Sequence, residues 1–486
     1  MSVVATAAPA RRLTERSATA LAAAIRSGEV SSREVIEAHI EVLGRVNPRI
    51  NAVVIERFEA ARAKADAADA RVAQASEDDP LPPLLGVPCT IKESVEVEGL
   101  PSSAGVVAQR GRRSERTAPA ARRLLDAGAI PLGLTNVSEL TMWVETENRL
   151  YGRTSNPYDR SRTAGGSSGG EGATIGAGGS PIGIGSDLGG SIRLPAFFNG
   201  VFGHKPSLGL VPLTGLNPKA VGETRRLAVC GPLARRAEDL MPVLRTIADP
   251  DGEDELAESI VLGDPGAVSL DGLRVVVSES GTIGPTGPEL TQARERAAGA
   301  LAAAGARLER VAMGDLRRAL EIYLATLRTM SGITVSELLA QAGARAPRGR
   351  ELLRRGGPHT VATRITLAAE RLGALTPKWR TRKVMAARES WVAELRATIG
   401  DGVLLHPPAP KVAPKHGRTV GRLWWIHPMI VFNLAAVPVT QVPLGLDSDG
   451  LPLGVQVAAG HARDHLSIAV ALELERVFGG WVPPGR

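Results

Sequence analysis

Four glycine pairs, Gly165-Gly166, Gly169-Gly170, Gly178-Gly179 and Gly189-Gly190, share residues 163–206 with Ser167, Ser168, Ser180, Ser186 and Ser191. Glycine loses more backbone entropy on ordering than any other residue, so this density calls for close backbone approach to a ligand or to another stretch of chain. Between the pairs lie the apolar runs 173–177 and 181–184, which a solvated Gly/Ser linker would not carry. The segment is therefore expected to be buried, with its hydroxyls and amide N–H groups paired or used. Asp187-Leu188-Gly189-Gly190-Ser191 can present consecutive N–H groups on one side of a tight turn beside a serine oxygen. That is the geometry of an oxyanion hole next to a nucleophile. A phosphate loop fits less well, because no GxxxxGK[ST] run occurs and GIGSDLGG breaks the GxGxxG spacing.

A serine nucleophile needs a base, and no Ser/His/Asp set is legible. The eight histidines are scattered; His204, in FGHKPS, is read as structural. No Cys/His group has metal-ligand spacing. Lys92 lies in LLGVPCTIKESVEV, which reads as a strand approached by a turn. From pattern alone such a lysine is a solvated edge residue. If strand alternation buries it, Glu93 turns to the other face and does not neutralise it.

Residues 165–170 read GGSSGG and 185–196 read GSDLGGSIRLPA, and these stretches resemble the defining segments of the amidase signature family. The likeness is greatest to its fatty acid amide hydrolase branch, type-2 members especially, in GGSSGGEG, GSIRLPAFFNGVFGHKPS and NRLYGRTSNPYD at 148–159. It extends from GVPCTIKE at 86–93 to FNLAAVPVTQVPLGLDSDGLPLGVQV at 432–457. The resemblance implies a Ser-Ser-Lys triad: Ser191 as nucleophile, Ser167 as a bridging serine on a cis peptide bond, Lys92 as base. Burial would keep that lysine largely neutral, and a hydroxyl can accept and donate at once, so Ser167 can relay a proton from Ser191 to Lys92. The N–H groups of Leu188, Gly189 and Gly190, with Ser191 as a fourth, would hold the oxyanion. Ser168, Asp187 and Arg193 are expected as supporting scaffold, Arg193 anchoring Asp187 or another carboxylate.

On this reading the substrate is a small-molecule amide, ester, anilide or carbamate (urethane), with no cofactor and no metal. Thr141, Met142 and Trp143 are either core residues or lining of the substrate pocket. Two rivals stand beside it: a glutamine-hydrolysing amidotransferase subunit for charged tRNA, and a non-catalytic binding protein on the same fold. The first usually carries Gln where Leu194 stands. Leu194 and the Phe197-Phe198 pair favour an independent hydrolase on a less polar substrate.

Repeated alternation of strands and helices argues for a layered α/β protein, and the resemblance implies an amidase signature fold with a central mixed β-sheet flanked by helices on both faces. Residues 13–486 are expected as one domain after a flexible 1–12, with the signature core at about 86–210. Helices are predicted over 14–26, from Ser31 or Ser32, from Glu56, over 118–127, 231–248 and 288–305, and from Asp464. Strands are expected at 130–134, 273–279 and, around a turn at 447–450, in the last quarter. With 43% hydrophobic residues and 3% aromatics, the core must be built of Ala, Val, Leu and Ile. Cys89 and Cys230 read as buried free thiols.

The start has too short an apolar run for a signal peptide, and no run of 18 apolar residues occurs. A cytoplasmic protein without stable membrane insertion is expected. Oligomeric state is left open. The net charge of +7 is local: residues 345–383 hold eleven Lys and Arg against Glu351 and Glu370. With stacked aromatics and a nucleic-acid module both missing, nucleic-acid binding is set aside. This basic stretch lies in the helix-compatible region 315–400. It is read as a mobile lid with Leu, Ile and Trp379 facing inward, the alternative being a membrane contact.

Overall fold

The computed structural model describes residues 13–76, 79–279, 283–313, 316–330, 332–352 and 356–485. The segment 1–12 and Arg354 and Arg355 of the basic stretch lie outside these residues. The strands run in chain order as β1 (Val53–Glu56), β2 (Pro88–Lys92), β3 (Ile130–Thr135), β4 (Glu147–Asn148), β5 (Gly152–Arg153), β6 (Ile182–Asp187) and β7 (Phe202–Lys205). They continue as β8 (Val229–Ala234), β9 (Arg274–Ser278), β10 (Arg307–Val311), β11 (Val403–His406), β12 (Val439–Leu446) and β13 (Pro452–Ala459). Apart from the β4-β5 ribbon they form one 11-stranded sheet in the order β1-β3-β2-β6-β8-β7-β12-β13-β11-β9-β10. It is mixed: β2 runs parallel to β3 and β6, and β9 parallel to β10 and β11, whereas β8 is antiparallel to both β6 and β7.

Helices cover both faces because the strands are apolar on both. Val275 and Val277 of β9 and Val403 and Leu405 of β11 pack in one cluster with Leu290 and Ala297 of helix Pro288–Ala303 and Ile468 of helix Asp464–Phe478. Val276 and Leu404, one residue out of phase, turn to the opposite face and join Ile430 and Phe432 of helix His427–Ala435. At the far end Val53, Ile130 and Leu132 are buried under helices Ser32–Ile50 and Phe58–Gln74. Each fully buried aliphatic side chain of this kind contributes about 1.5–3 kcal/mol relative to exposure. Ser31 caps helix Ser32–Ile50 in a reciprocal bond with Glu34, which settles the choice between the two serines.

Residues 231–248 depart from expectation. The first part is β8, whose Gly231 and Pro232 pair with Gly185 and Ile184; a 3-10 turn follows at Ala237–Asp239, and α-helix begins only at Leu240. The helical spacing of Leu233, Ala237, Leu240 and Leu244 is real, but pairing with strands on both sides outweighs it. Strands β1, β7 and β10 were not expected either. In β10 the reason is plain: Arg307–Val311 is an exposed edge with no apolar alternation, and Glu309 there bonds Arg274 at 2.7 Å.

Candidate active site

Strand β2 delivers Lys92 to the end of the sheet. Cys89 and Ile91 point into the main core, while Thr90 and Lys92 share the other face. Lys92 is wholly buried, and its Nζ lies 2.8 Å from Ser167 Oγ and 2.9 Å from Ser186 Oγ. Burial holds the amine down to about 7, although Asp187, Cys230 and Glu171 act in the opposite direction. Glu93 is engaged elsewhere, accepting bonds from Ser103 N and Oγ, Ala104 N and the Tyr151 hydroxyl. Among the described residues no carboxylate pairs with Lys92.

Ser167 sits just before the short helix Gly169–Gly176, and the Gly166–Ser167 peptide bond is cis. This helix lies on the Thr90 face of the sheet, fastened by Glu171, whose carboxylate accepts from Thr90 Oγ1 (2.6 Å) and Thr135 Oγ1 (2.8 Å). Burial pushes the Glu171 carboxyl up to about 7 against those two bonds. Gly183 explains the closeness: a Cβ there would run into Glu171 Oε2. The glycines of this stretch let helix and sheet approach until hydroxyl and amine meet.

Strand β6 ends at Asp187, and the chain turns through Leu188, Gly189 and Gly190 to Ser191 before helix Arg193–Phe198. Ser191 is partly exposed, and its carbonyl accepts from Ser168 N–H at 3.3 Å, which seats it beside the Ser167 turn. Asp187 pins the turn by accepting from Gly190 N (2.7 Å) and Ile192 N (3.2 Å). The Gly190 N–H is thus directed at Asp187.

Arg193, fully buried, anchors Asp187 and bonds Met429 O, Gln456 Oε1 and Asn433 Oδ1, while Asn433 returns a bond to Asp187. Burial alone would raise the Asp187 carboxyl, but Arg193, Asn433 and Gly190 together hold it far below the ordinary carboxylate range. His204 is structural as expected, bonded to Thr440 and Asp464. Among the described residues no group of three His, Cys, Asp or Glu side chains is placed to hold a metal ion.

The amidase family profile matches residues 34–467. A zebrafish (Danio rerio) protein named fatty-acid amide hydrolase 2-A is 41% identical over 97% of this chain and 90% of its own length. Human (Homo sapiens) fatty-acid amide hydrolase 2 is 39% identical over 96% and 90%. The chain belongs to the amidase signature family. It is an amidase, a hydrolase of carbon–nitrogen bonds other than peptide bonds. The solved structure of 6-aminohexanoate cyclic dimer hydrolase in complex with substrate superposes with a TM-score of 0.82 at 26% identity, covering 97% of this chain and 99% of the other.

Other expected residues of this amidase fall in different places. Leu194, Phe197 and Phe198 are packed in the main core, so their apolar character bears on packing and not on the substrate. Thr141 and Met142 follow Glu139 in a tight turn in which Leu140 and Thr141 both have φ of 55°. The carbonyl of Trp143 comes close against Gly166, and Met142 lines a small crevice with Val335, Thr363 and Thr366. The turn thus lies between the Ser167 segment and the helices of 316–399. A cavity of about 600 Å³ opens among Ser336, Ala340 and Arg371 of those helices and Arg345 and Arg348 of the loop between them, and no catalytic candidate lines it.

Among the described residues no helix is long and apolar enough to cross a membrane. Trp379, expected to face inward, is 68% exposed, as are Leu372 (69%) and Leu375 (79%). Ser186, Asn433 and Gln456 were missed as parts of the site. Ser186 stands in the signature run, and its alternation with Asp187 along β6 was the available clue; Asn433 and Gln456 come from distant strand and helix positions that only the fold brings near.

Proposed function

We propose that this amidase cleaves the C–N bond of small-molecule amides through a Ser191–Ser167–Lys92 relay and an acyl-enzyme, with esters, anilides and carbamates (urethanes) entering by the same carbonyl chemistry. The observation that carries the reading is the fully buried Lys92, held to about 7 and within 2.8 Å of Ser167 Oγ. A largely neutral amine accepts the Ser167 proton as Ser167 takes that of Ser191, whose oxygen adds to the carbonyl carbon. The carbonyl oxygen becomes an alkoxide facing the N–H groups of Leu188, Gly189 and Ser191. Loss of one such donor raises a barrier by about 2.7–4 kcal/mol in enzymes of this type. The relay then runs backward, protonating the amine as the C–N bond breaks, and water releases the acid from Ser191. Ser186 keeps the Lys92 amine aimed at Ser167.

Ser191→Ala tests this. The variant is expected to fold and to lose both anilide hydrolysis and labelling by a fluorophosphonate probe, whereas the unaltered enzyme is labelled at Ser191 alone. A tenth of the activity remaining in Ser191→Ala would overturn the reading.

A further inference from the structure

We infer that Tyr323 is a positioning residue for the oxyanion turn, carried by the helical segment 316–399 and not by the signature. Tyr323 lies on helix Leu316–Met330, is 4% exposed, and donates its hydroxyl to Leu188 O at 3.3 Å. A Cβ at Gly189 would stand 2.6 Å from that hydroxyl and 3.5 Å from Ile430 Cγ2, so the phenol rests directly on the turn. The Leu188 side chain packs into the same cluster as Tyr323 and Ile430, which holds the two elements together.

The consequence follows from peptide geometry. The C=O of Leu188 and the N–H of Gly189 belong to one trans peptide and point in opposite directions. A hydroxyl that holds the carbonyl from one side therefore fixes the N–H on the other, away from Tyr323. Asp187 fixes the next peptide by accepting Gly190 N–H. The turn is thus clamped at two successive peptides, once from the strand end and once from the helical segment. Rotation of the Leu188–Gly189 peptide would replace a donor by a carbonyl oxygen facing the developing negative charge. Burial, reinforced by Asp187 and opposed by Arg193, keeps the phenol above its ordinary pKa, so it remains a donor at working pH.

This inference rests on the proposed acyl-enzyme reading, and its test separates the two. Tyr323→Phe keeps the ring and removes only the hydroxyl. Outright loss of an oxyanion donor lowers kcat about 10²–10³-fold; a donor left in place but released should cost less, about 10-fold in kcat for p-nitroacetanilide, with KM changed by under about twofold. Inhibition by a trifluoromethyl ketone, whose adduct carries the oxyanion, should weaken by the same factor as kcat/KM. A second variant guards against a folding artefact. Gly189→Ala crowds the hydroxyl out, so adding Tyr323→Phe to it should cost little more than Gly189→Ala alone. Unchanged kcat and ketone affinity in Tyr323→Phe, a change in KM only, or fully additive losses would each overturn the role of Tyr323. If Ser191→Ala stayed active, the acyl-enzyme reading itself would fall; inactive Ser191→Ala with unaltered Tyr323→Phe removes the tyrosine alone.

Discussion

Two regions of the molecule handle charge in opposite ways. Around residues 163–206 the charged and polar groups are buried and paired: Arg193 on Asp187, Glu171 on Thr90 and Thr135, Lys92 on Ser167 and Ser186. Between residues 316 and 399 most of the cations of the described residues reach the surface, Arg364 being the buried exception, and Leu372, Leu375 and Trp379 lie outside with them. The first region holds its groups where water is excluded, so pKa values move and geometry is fixed. The second meets it directly through Tyr323 on Leu188, is packed through Ala319, Ile322, Leu395 and Ile399 on helix His427–Ala435, and is tied to the 139–142 turn by the Glu139 carboxylate on His359, Thr360 and Thr363. The contrast separates a part whose charges are held out of water from a part that presents them to it, with Tyr323 as the direct link between the two.

Breaking the buried side of this contrast should have the largest effect. Lys92→Ala is expected to lower amide turnover by about 10²–10⁴-fold, the range of a positioned general base. Turnover of a matched ester should fall less, since an alkoxide or phenoxide leaves without the returned proton. Equal losses on the two substrates would exclude Lys92 as the relay base. In the unaltered enzyme the base works when neutral, so kcat/KM should rise with pH through about 7 and level off above it. A limb displaced to the ordinary lysine range would show that the amine is not held as described.

Those buried groups also mark how far sequence could go. Most helix positions and the layered α/β class were legible because apolar alternation and capping residues such as Ser31 and Glu34 are local signals, whereas the amidase fold with its mixed sheet was legible only through the likeness of the 165–170 and 185–196 motifs to a family. Lys92 illustrates the limit: strand pattern alone placed it in solvent, and only its motif pointed to the site. Gly190 is a second case. Its N–H faces Asp187, a side-chain choice that no spacing encodes. In 231–248, helical spacing was overridden by pairing on both sides of β8. In the segment 316–399 the helices were legible but their facing only in part: of the side chains expected inward, Leu367 is buried, whereas Leu372, Leu375 and Trp379 are exposed.

A smaller loss is expected from Asp187→Ala. It would leave the guanidinium of Arg193 buried with its carboxylate partner gone, a change that costs about 3–5 kcal/mol of stability. A clear fall in the chemical-denaturation midpoint should accompany loss of activity. Activity lost at unaltered stability would mean that Asp187 acts on the reaction and not on the frame.

The link between the regions should give a milder, pH-dependent effect. Burial and nearby Arg364 disfavour a charged His359, but its bond to Glu139, helped by the Arg345 carbonyl, outweighs them and raises its pKa. A raised value in the folded state stabilises the attachment fully below the ordinary histidine pKa of about 6.5 and loses it as pH rises through the folded value. Protection of the amides in helix Val361–Gly373, taken relative to the intrinsic exchange rate at each pH, should therefore fall above neutral pH, and Glu139→Gln should remove that fall while the limb near 7 in kcat/KM stays. Both disappearing together would mean that the two regions titrate as one unit.

The smallest effect on the chemistry is expected at the outer surface of the helical segment. Leu372, Leu375 and Trp379 stand exposed at the junction of helices Val361–Gly373 and Lys378–Ala386, beside Lys378, Arg380, Arg382 and Lys383. Apolar side chains among cations suit the surface of an anionic bilayer, where each basic group near the headgroups adds about 1 kcal/mol and each apolar side chain gains by leaving water. The arrangement therefore predicts binding to vesicles containing phosphatidylserine that weakens as salt is raised, and its loss when all three apolar residues become Gln. Turnover of p-nitroacetanilide, which reaches the site from solution, should stay within about twofold, as surface substitutions away from packed groups seldom shift stability by more than about 0.5 kcal/mol. The opposite result is equally definite: no vesicle binding, with altered selectivity between long and short acyl chains in the triple variant, would show that these side chains fold inward over the substrate and that the segment is a lid.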